Sequence, residues 1–141
     1  MIILSIDYGD VRTGIAVCDK SELLARPVTV IKERNPDRLA DRVAETAKAE
    51  KAEMLLIGLP KNMDGSEGFR AEAARDFGEK LRLMGFSVEF RDERLTTMEA
   101  HRYLNYTDTR GNKRKATVDA LSAVLILEDY IAYKKNTGAA K

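Results

Sequence analysis

The stretch Met1-Ile-Ile-Leu-Ser-Ile-Asp7-Tyr-Gly9-Asp-Val-Arg12-Thr-Gly14 decides how the rest of the chain is read. Met1 to Ile6 is too apolar for a surface and reads as a central strand buried on both faces. Asp7 closes that strand where it opens into a glycine-punctuated turn, the position at which α/β folds tend to set their chemistry. Two readings of Asp7 stand on these residues alone: an acid that starts a turn, and a carboxylate held at a strand end for catalysis.

Outward from this strand, Thr13 to Asp19 alternates loosely apolar, and Leu23 to Lys32 is a third extended run. Pro27 inside that run predicts an edge strand or a bulge. The connections are too short for crossover helices, so strands 1–3 are expected as an antiparallel meander. Asn35-Pro36-Asp37 signals a helix start, and Leu39, Val43 and Ala47 line one face of it. A buried strand at Met54 to Ile57 leads into the loop Gly58-Leu-Pro60-Lys-Asn62-Met-Asp64-Gly65. A second helix follows, expected to be capped by Ser66, to carry Phe69, Ala73, Phe77 and Leu81 on its inner face, and to end at Gly85. Phe86 to Phe90 is a fifth strand. Thr96 to Glu99 has the form of a capping box opening a short helix, Tyr106 to Lys115 reads as a mobile basic loop, and Thr117 to Tyr133 as the most apolar helix. This order predicts an α/β fold: a five-stranded mixed sheet, with strands 1–3 antiparallel, strands 1, 4 and 5 parallel, and helices on both faces. Residues 1–134 form one domain, and 135–141 a frayed tail.

Bulk composition narrows the function classes. The 141 residues carry a net charge of +1, so the whole is neither a polybasic binder nor an acidic tail, and nucleic-acid affinity would have to come from a local patch. The one cysteine, Cys18, rules out an intrachain disulfide and a cysteine-based zinc cluster; it sits in an apolar run as a core residue. No stretch is long and apolar enough to span a membrane, and a cytoplasmic, soluble protein is expected.

Three acids stand at or within core elements: Asp7 at the end of strand 1, Glu93 just beyond strand 5, and Asp119 inside the last helix, near the small residues Ala116, Ser122 and Ala123. Parallel strands bring their C-terminal ends to one sheet edge, where Asp7 and Glu93 would approach each other; the small-residue strip of the helix is either its exposed side or a close contact aiming Asp119 at that edge. Three carboxylates at close range need a counter-charge. Oxygen-only ligands favour Mg²⁺ or Mn²⁺, and two such ions form a clamp for phosphodiester hydrolysis. Arg12, Lys61, Arg94, Arg110, Lys113, Arg114 and Lys115 are candidates to hold backbone phosphates, with the basic loop closing over them. The loop around Lys61 and Asn62 is either an anion-binding turn before a helix or an ordinary strand-to-helix turn. His101, on a polar helix face, reads as exposed.

The four segments Asp7–Val17, Gly58–Ser66, Asp92–Thr97 and Asp119–Ala123, in order and at this spacing, resemble the YqgF family, pre-16S rRNA nucleases also described as Holliday-junction-resolvase-like. The resemblance covers residues 2 to 133. It implies an RNase H-like fold and Asp7, Glu93 and Asp119 as the catalytic metal-binding acids. It also implies a nucleic-acid partner, either structured rRNA precursor or branched DNA, bound by a monomer or a homodimer. Ser122 stands where the family often has Ala. A protein that binds nucleic acid without cutting it is the alternative from a different class.

Overall fold

The computed structural model describes residues 1–22, 24–62, 64–92 and 111–137, the last segment by backbone alone outside 121–135. The elements are β1 (Ile3–Asp7), β2 (Arg12–Cys18), β3 (Ala25–Lys32), α1 (Pro36–Ala49), β4 (Met54–Leu59), α2 (Phe69–Leu83), β5 (Val88–Asp92) and α3 (Gly111–Thr137). They build one sheet in the order β3-β2-β1-β4-β5. β1 pairs antiparallel with β2 and parallel with β4, and β4 pairs parallel with β5. The fold is the expected RNase H-like five-stranded mixed sheet with helices on both faces.

β1 is central because both of its faces are apolar. Leu4 and Ile6 join Leu39, Val43, Phe77 and Leu81 under α1 and α2. Ile3 joins Leu56, Ile126 and Leu127 under α3 on the other face. Ser5, the polar residue inside this run, is fully buried, and its hydroxyl donates to the carbonyl oxygen of Ala123 at 2.6 Å. Without such an acceptor a buried hydroxyl is costly.

Pro27 lies on the edge strand β3, next to a register shift: Ile15 pairs with Thr29 and Ala16 with Pro27, leaving Val28 as a bulged residue. α1 is capped as its sequence suggests. The Asn35 side chain accepts from the backbone N–H groups of Asp37 and Arg38 at 2.9 and 3.0 Å.

Two expectations are corrected. Ser66 does not cap α2; its N–H and hydroxyl donate to Asp64 Oδ1 at 2.9 and 2.6 Å, closing a local turn. The N-cap is Gly68, so the helix starts at Phe69, whose side chain is 79% exposed in the first turn. Ala71, Ala74, Phe77, Gly78 and Leu81 form the inner face instead. Gly78 lets the helix approach β4 and β5 closely, since a Cβ there would lie 2.6 Å from the Phe90 ring. As expected, α2 gives way at Gly85, which has φ +99°.

The second correction concerns 111–115. These residues open α3 rather than lying in a loop, so Lys113, Arg114 and Lys115 belong to a helix. Past Gly111 the run contains Lys, Arg and Ala, good helix formers, and no proline. α3 continues to Thr137. The short helix expected near Thr96 to Leu104, with His101, lies outside the described residues.

Candidate active site at the carboxyl edge of the sheet

Strand register sets the site. Ile6 pairs with Ile57, Ile57 with Phe90, and Gly58 with Arg91. Asp7, Gly58 and Arg91 therefore share the next row across the sheet. Side chains alternate along a strand, and Leu4, Ile6, Leu55, Ile57 and Val88 belong to the core under α1 and α2. The Asp7 row consequently faces the α3 side. Adjacent strands are about 4.8 Å apart, which puts the backbones of Asp7 and Arg91 roughly 10 Å from each other. Gly58, between them, carries no side chain.

Asp7 is half-buried, ends β1 and is still paired with Gly14 of β2. Tyr8 turns to the opposite face and stacks on Phe77, with ring centroids 4.6 Å apart and planes 18° apart. Burial, reinforced by the Asp10 carboxylate, raises the Tyr8 phenol above its ordinary pKa. The turn to β2 is tight. A Cβ on Gly9 would lie 2.1 Å from the Arg12 carbonyl oxygen, and the Gly9 N–H donates to Thr13 Oγ1 at 3.3 Å. Gly9 is thus required by the turn itself.

Arg12 opens β2 two residues before Gly14, so alternation puts it on the α3 side, at the same edge as Asp7. Its Nε is buried and has no hydrogen-bond partner among the described residues. Buried N–H groups of this kind normally have an acceptor.

α3 runs antiparallel to β1: Ser5 meets Ala123, while Ile3, two residues earlier, shares its buried cluster with Ile126 and Leu127. Asp119 lies on this helix one turn before Ala123, and its side chain is outside the described set. Glu93, Arg94 and Arg110 lie outside the described residues altogether; Glu93 follows Asp92, the last residue of β5. Among the described residues, no three His, Cys, Asp or Glu side chains gather into a metal-holding group.

The loop after β4 is tied together by bonds among its described residues. Asn62 takes its backbone N–H to the Ser66 carbonyl and its side-chain amide to Ser66 Oγ, both at 2.9 Å. Lys61 stands 3.9 Å from Glu67, which Arg75 grips with two bonds of 2.7 Å. Those Arg75 bonds hold the Glu67 carboxyl below the usual range. Arg91 is the residue that sequence reasoning missed. Its Nε donates to Asp129 at 2.8 Å, and its guanidinium lies 4.5 Å from the centre of the Tyr133 ring. Alternation along β5 was the available signal, but it becomes useful only once the register to β1 is known.

The family model described as "RuvX: Holliday junction resolvase" matches residues 1–133. The chain belongs to the RuvX family. A relative from Lactococcus lactis subsp. cremoris (strain MG1363), named "Putative pre-16S rRNA nuclease", is 43% identical over 132 residues, covering 92% of each chain. One of the same name from Caldanaerobacter subterraneus subsp. tengcongensis is 39% identical over 139 residues, covering 97% of this chain and all (100%) of the relative. Among solved structures, Thermus thermophilus RuvC in complex with a Holliday junction substrate aligns over 97% of both chains with a TM-score of 0.62 and 16% identity. At that identity the likeness concerns the fold, and it agrees with the RNase H-like sheet of this RuvX chain. No helix among its described residues is long and apolar enough to cross a membrane.

Proposed function

We propose that this RuvX chain is a metal-dependent nuclease that hydrolyses a phosphodiester in structured RNA, with the 5′ end of the 16S rRNA precursor as its substrate. The names of its curated relatives support the substrate. The observation that carries the site is the Ser5–Ala123 hydrogen bond. Two residues along a strand advance about 6.6 Å, and four along a helix about 6 Å. Because α3 runs antiparallel to β1, one such stride from the Ser5–Ala123 contact leads to Asp7 on the strand and Asp119 on the helix. Glu93 comes one residue after β5, which ends at the same edge.

These three acids offer oxygen donors alone, and Cys18 lies at the far end of β2, so the set fits Mg²⁺ or Mn²⁺. Two such ions, when bound, would supply the charge that lets the acids ionise together and the polarisation that phosphodiester hydrolysis needs. The chain's own residues hold the substrate. Arg12, at the same edge as Asp7, offers its guanidinium to a backbone phosphate, and Arg94, Arg110, Lys113, Arg114 and Lys115 bind the phosphates beyond it. Lys61 and Asn62 shape the loop that borders the site. The protein works in the cytoplasm, where Cys18 stays reduced.

The test is Asp7→Asn, assayed for cleavage of precursor RNA with Mn²⁺. Loss of cleavage with unchanged thermal melting is expected, and full activity in the variant overturns the reading. A second reading, cleavage of four-way DNA junctions, draws on the family description and on the fold shared with RuvC. Symmetric cutting of two strands would call for a dimer. Competition between junction and RNA, with light scattering, separates the two. Salt-dependent binding without any metal-dependent cleavage would instead identify a non-cutting assembly factor.

A further inference from the structure

α3 packs chiefly on β2, β3 and β1, and meets β4 only slightly. The α3 side of β5 is therefore the floor of an open groove of about 980 Å³, walled by the C-terminal half of the helix. Among the described lining residues, Arg82, Arg91 and Lys134 are the cationic side chains and Glu89 the carboxylate. Its aromatic wall is Tyr130 and Tyr133, with ring centroids 6.4 Å apart. The Tyr130 hydroxyl is held by Glu89, and the Arg91 guanidinium covers part of the Tyr133 ring. Tyr133 nonetheless remains 46% exposed.

We propose that this groove binds a single-stranded polynucleotide segment of the substrate. The proposal rests on the nuclease reading and extends it to a second binding region. Exposed rings beside cations are what proteins use to hold unpaired strands: bases stack on the rings and phosphates follow the positive charge. Here Arg91 is already paired with Asp129, Lys134 with Glu22 and Arg82 with Glu79. The cations are thus largely balanced within the protein, and stacking on Tyr133 carries most of the affinity. Duplex bases, stacked on one another, cannot reach a ring in this way. The groove lies toward the amino edge of the sheet, beside Met1, Met54 and Ser87, and Arg91, whose backbone is in the Asp7 row, reaches into it from the carboxyl-edge side.

The experiment is fluorescence anisotropy on the full chain without divalent metal, so that nothing is cut. The probes are a short single-stranded RNA, the DNA of the same sequence, and a blunt duplex. Tyr133→Ala and Tyr133→Leu, the second of which keeps apolar volume but not the aromatic face, should each weaken single-strand binding about ten-fold. Duplex binding should stay within about two-fold, and Tyr133→Trp should retain single-strand affinity. Single-strand binding that survives in both ring-less variants overturns the proposal, as does an equal loss for duplex. Light scattering that shows Tyr133→Leu converting a dimer to a monomer would assign the groove to contact between copies and also overturn it. Failure of Asp7→Asn to stop cleavage would sink the nuclease reading without altering these affinities, so the two failures are distinguishable.

Discussion

The hydroxyl of Ser5 donates to the carbonyl oxygen of Ala123 at 2.6 Å, joining residues 118 positions apart in the chain. It ties the middle of the central strand to the helix that carries Asp119.

Ser5→Ala removes this bond and should cost about 1 kcal/mol, the usual net worth of a buried hydrogen bond. Ser5→Leu should do more. At a fully buried position the added methylenes must push α3 outward, and overpacking costs roughly 1–3 kcal/mol. If α3 and β1 together form the active site, cleavage by Ser5→Leu should fall well below the folded fraction measured by thermal melting. Activity that simply tracks the folded fraction would separate Asp119 from the site.

Ser122 Oγ presents the opposite case, a hydroxyl in a residue only 1% exposed that has no hydrogen-bond partner among the described residues. Leaving such a group unsatisfied costs about 1–3 kcal/mol. Ser122→Ala should therefore stabilise the protein by about 1 kcal/mol in urea unfolding, with cleavage unchanged. A destabilised variant would mean that the hydroxyl finds an acceptor in solution.

Acid sensitivity should centre on Glu22. Burial raises its carboxyl, but hydrogen bonds from the N-terminal ammonium at 2.8 Å and from Lys134 at 3.0 Å outweigh this and hold the pKa below the usual range. A depressed folded-state pKa contributes stability that is fully present above the unfolded value, about 4.3, and is lost as pH falls through the folded one. Lys134 is only 8% exposed, so losing a carboxylate partner there is costly. Glu22→Gln should lower stability at pH 7 by about 2 kcal/mol, the scale of a hydrogen bond to a charged group. It should also flatten the fall in melting temperature below about pH 4.3. An unchanged acid limb would place the sensitivity elsewhere.

Elements built from local signals were legible in the sequence. The two-sided apolar run of β1, the Asn35 cap and Pro27 on an edge strand each depend on residues adjacent in the chain, and each is found. The start of α2 was misread because Ser66 has two competing uses, and Asp64, two residues earlier, claims both of its donors. Residues 111–115 looked like a loop because one glycine and a run of charge resemble one, yet charged residues extend a helix readily. Arg91 was overlooked for another reason. Its place in the Asp7 row depends on registers between strands some fifty and thirty residues apart in sequence (roughly, a separation no local pattern encodes).

Arg12 separates substrate binding from stability. A buried Nε with no partner among the described residues imposes a desolvation cost on the fold. Arg12→Ala should therefore leave thermal stability unchanged or slightly higher. If the Arg12 guanidinium meets a substrate phosphate in the ground state and the transition state alike, KM should rise about ten-fold, equivalent to about 1.4 kcal/mol of lost binding, while kcat stays near the wild-type value. Arg12→Lys should recover only part of the affinity, because an ammonium offers a point charge where the guanidinium offers a fixed fork of donors. A fall in kcat with KM unchanged would instead tie Arg12 to the transition state alone. A large loss of stability would mean that the Arg12 side chain supports the turn into β2 and binds nothing.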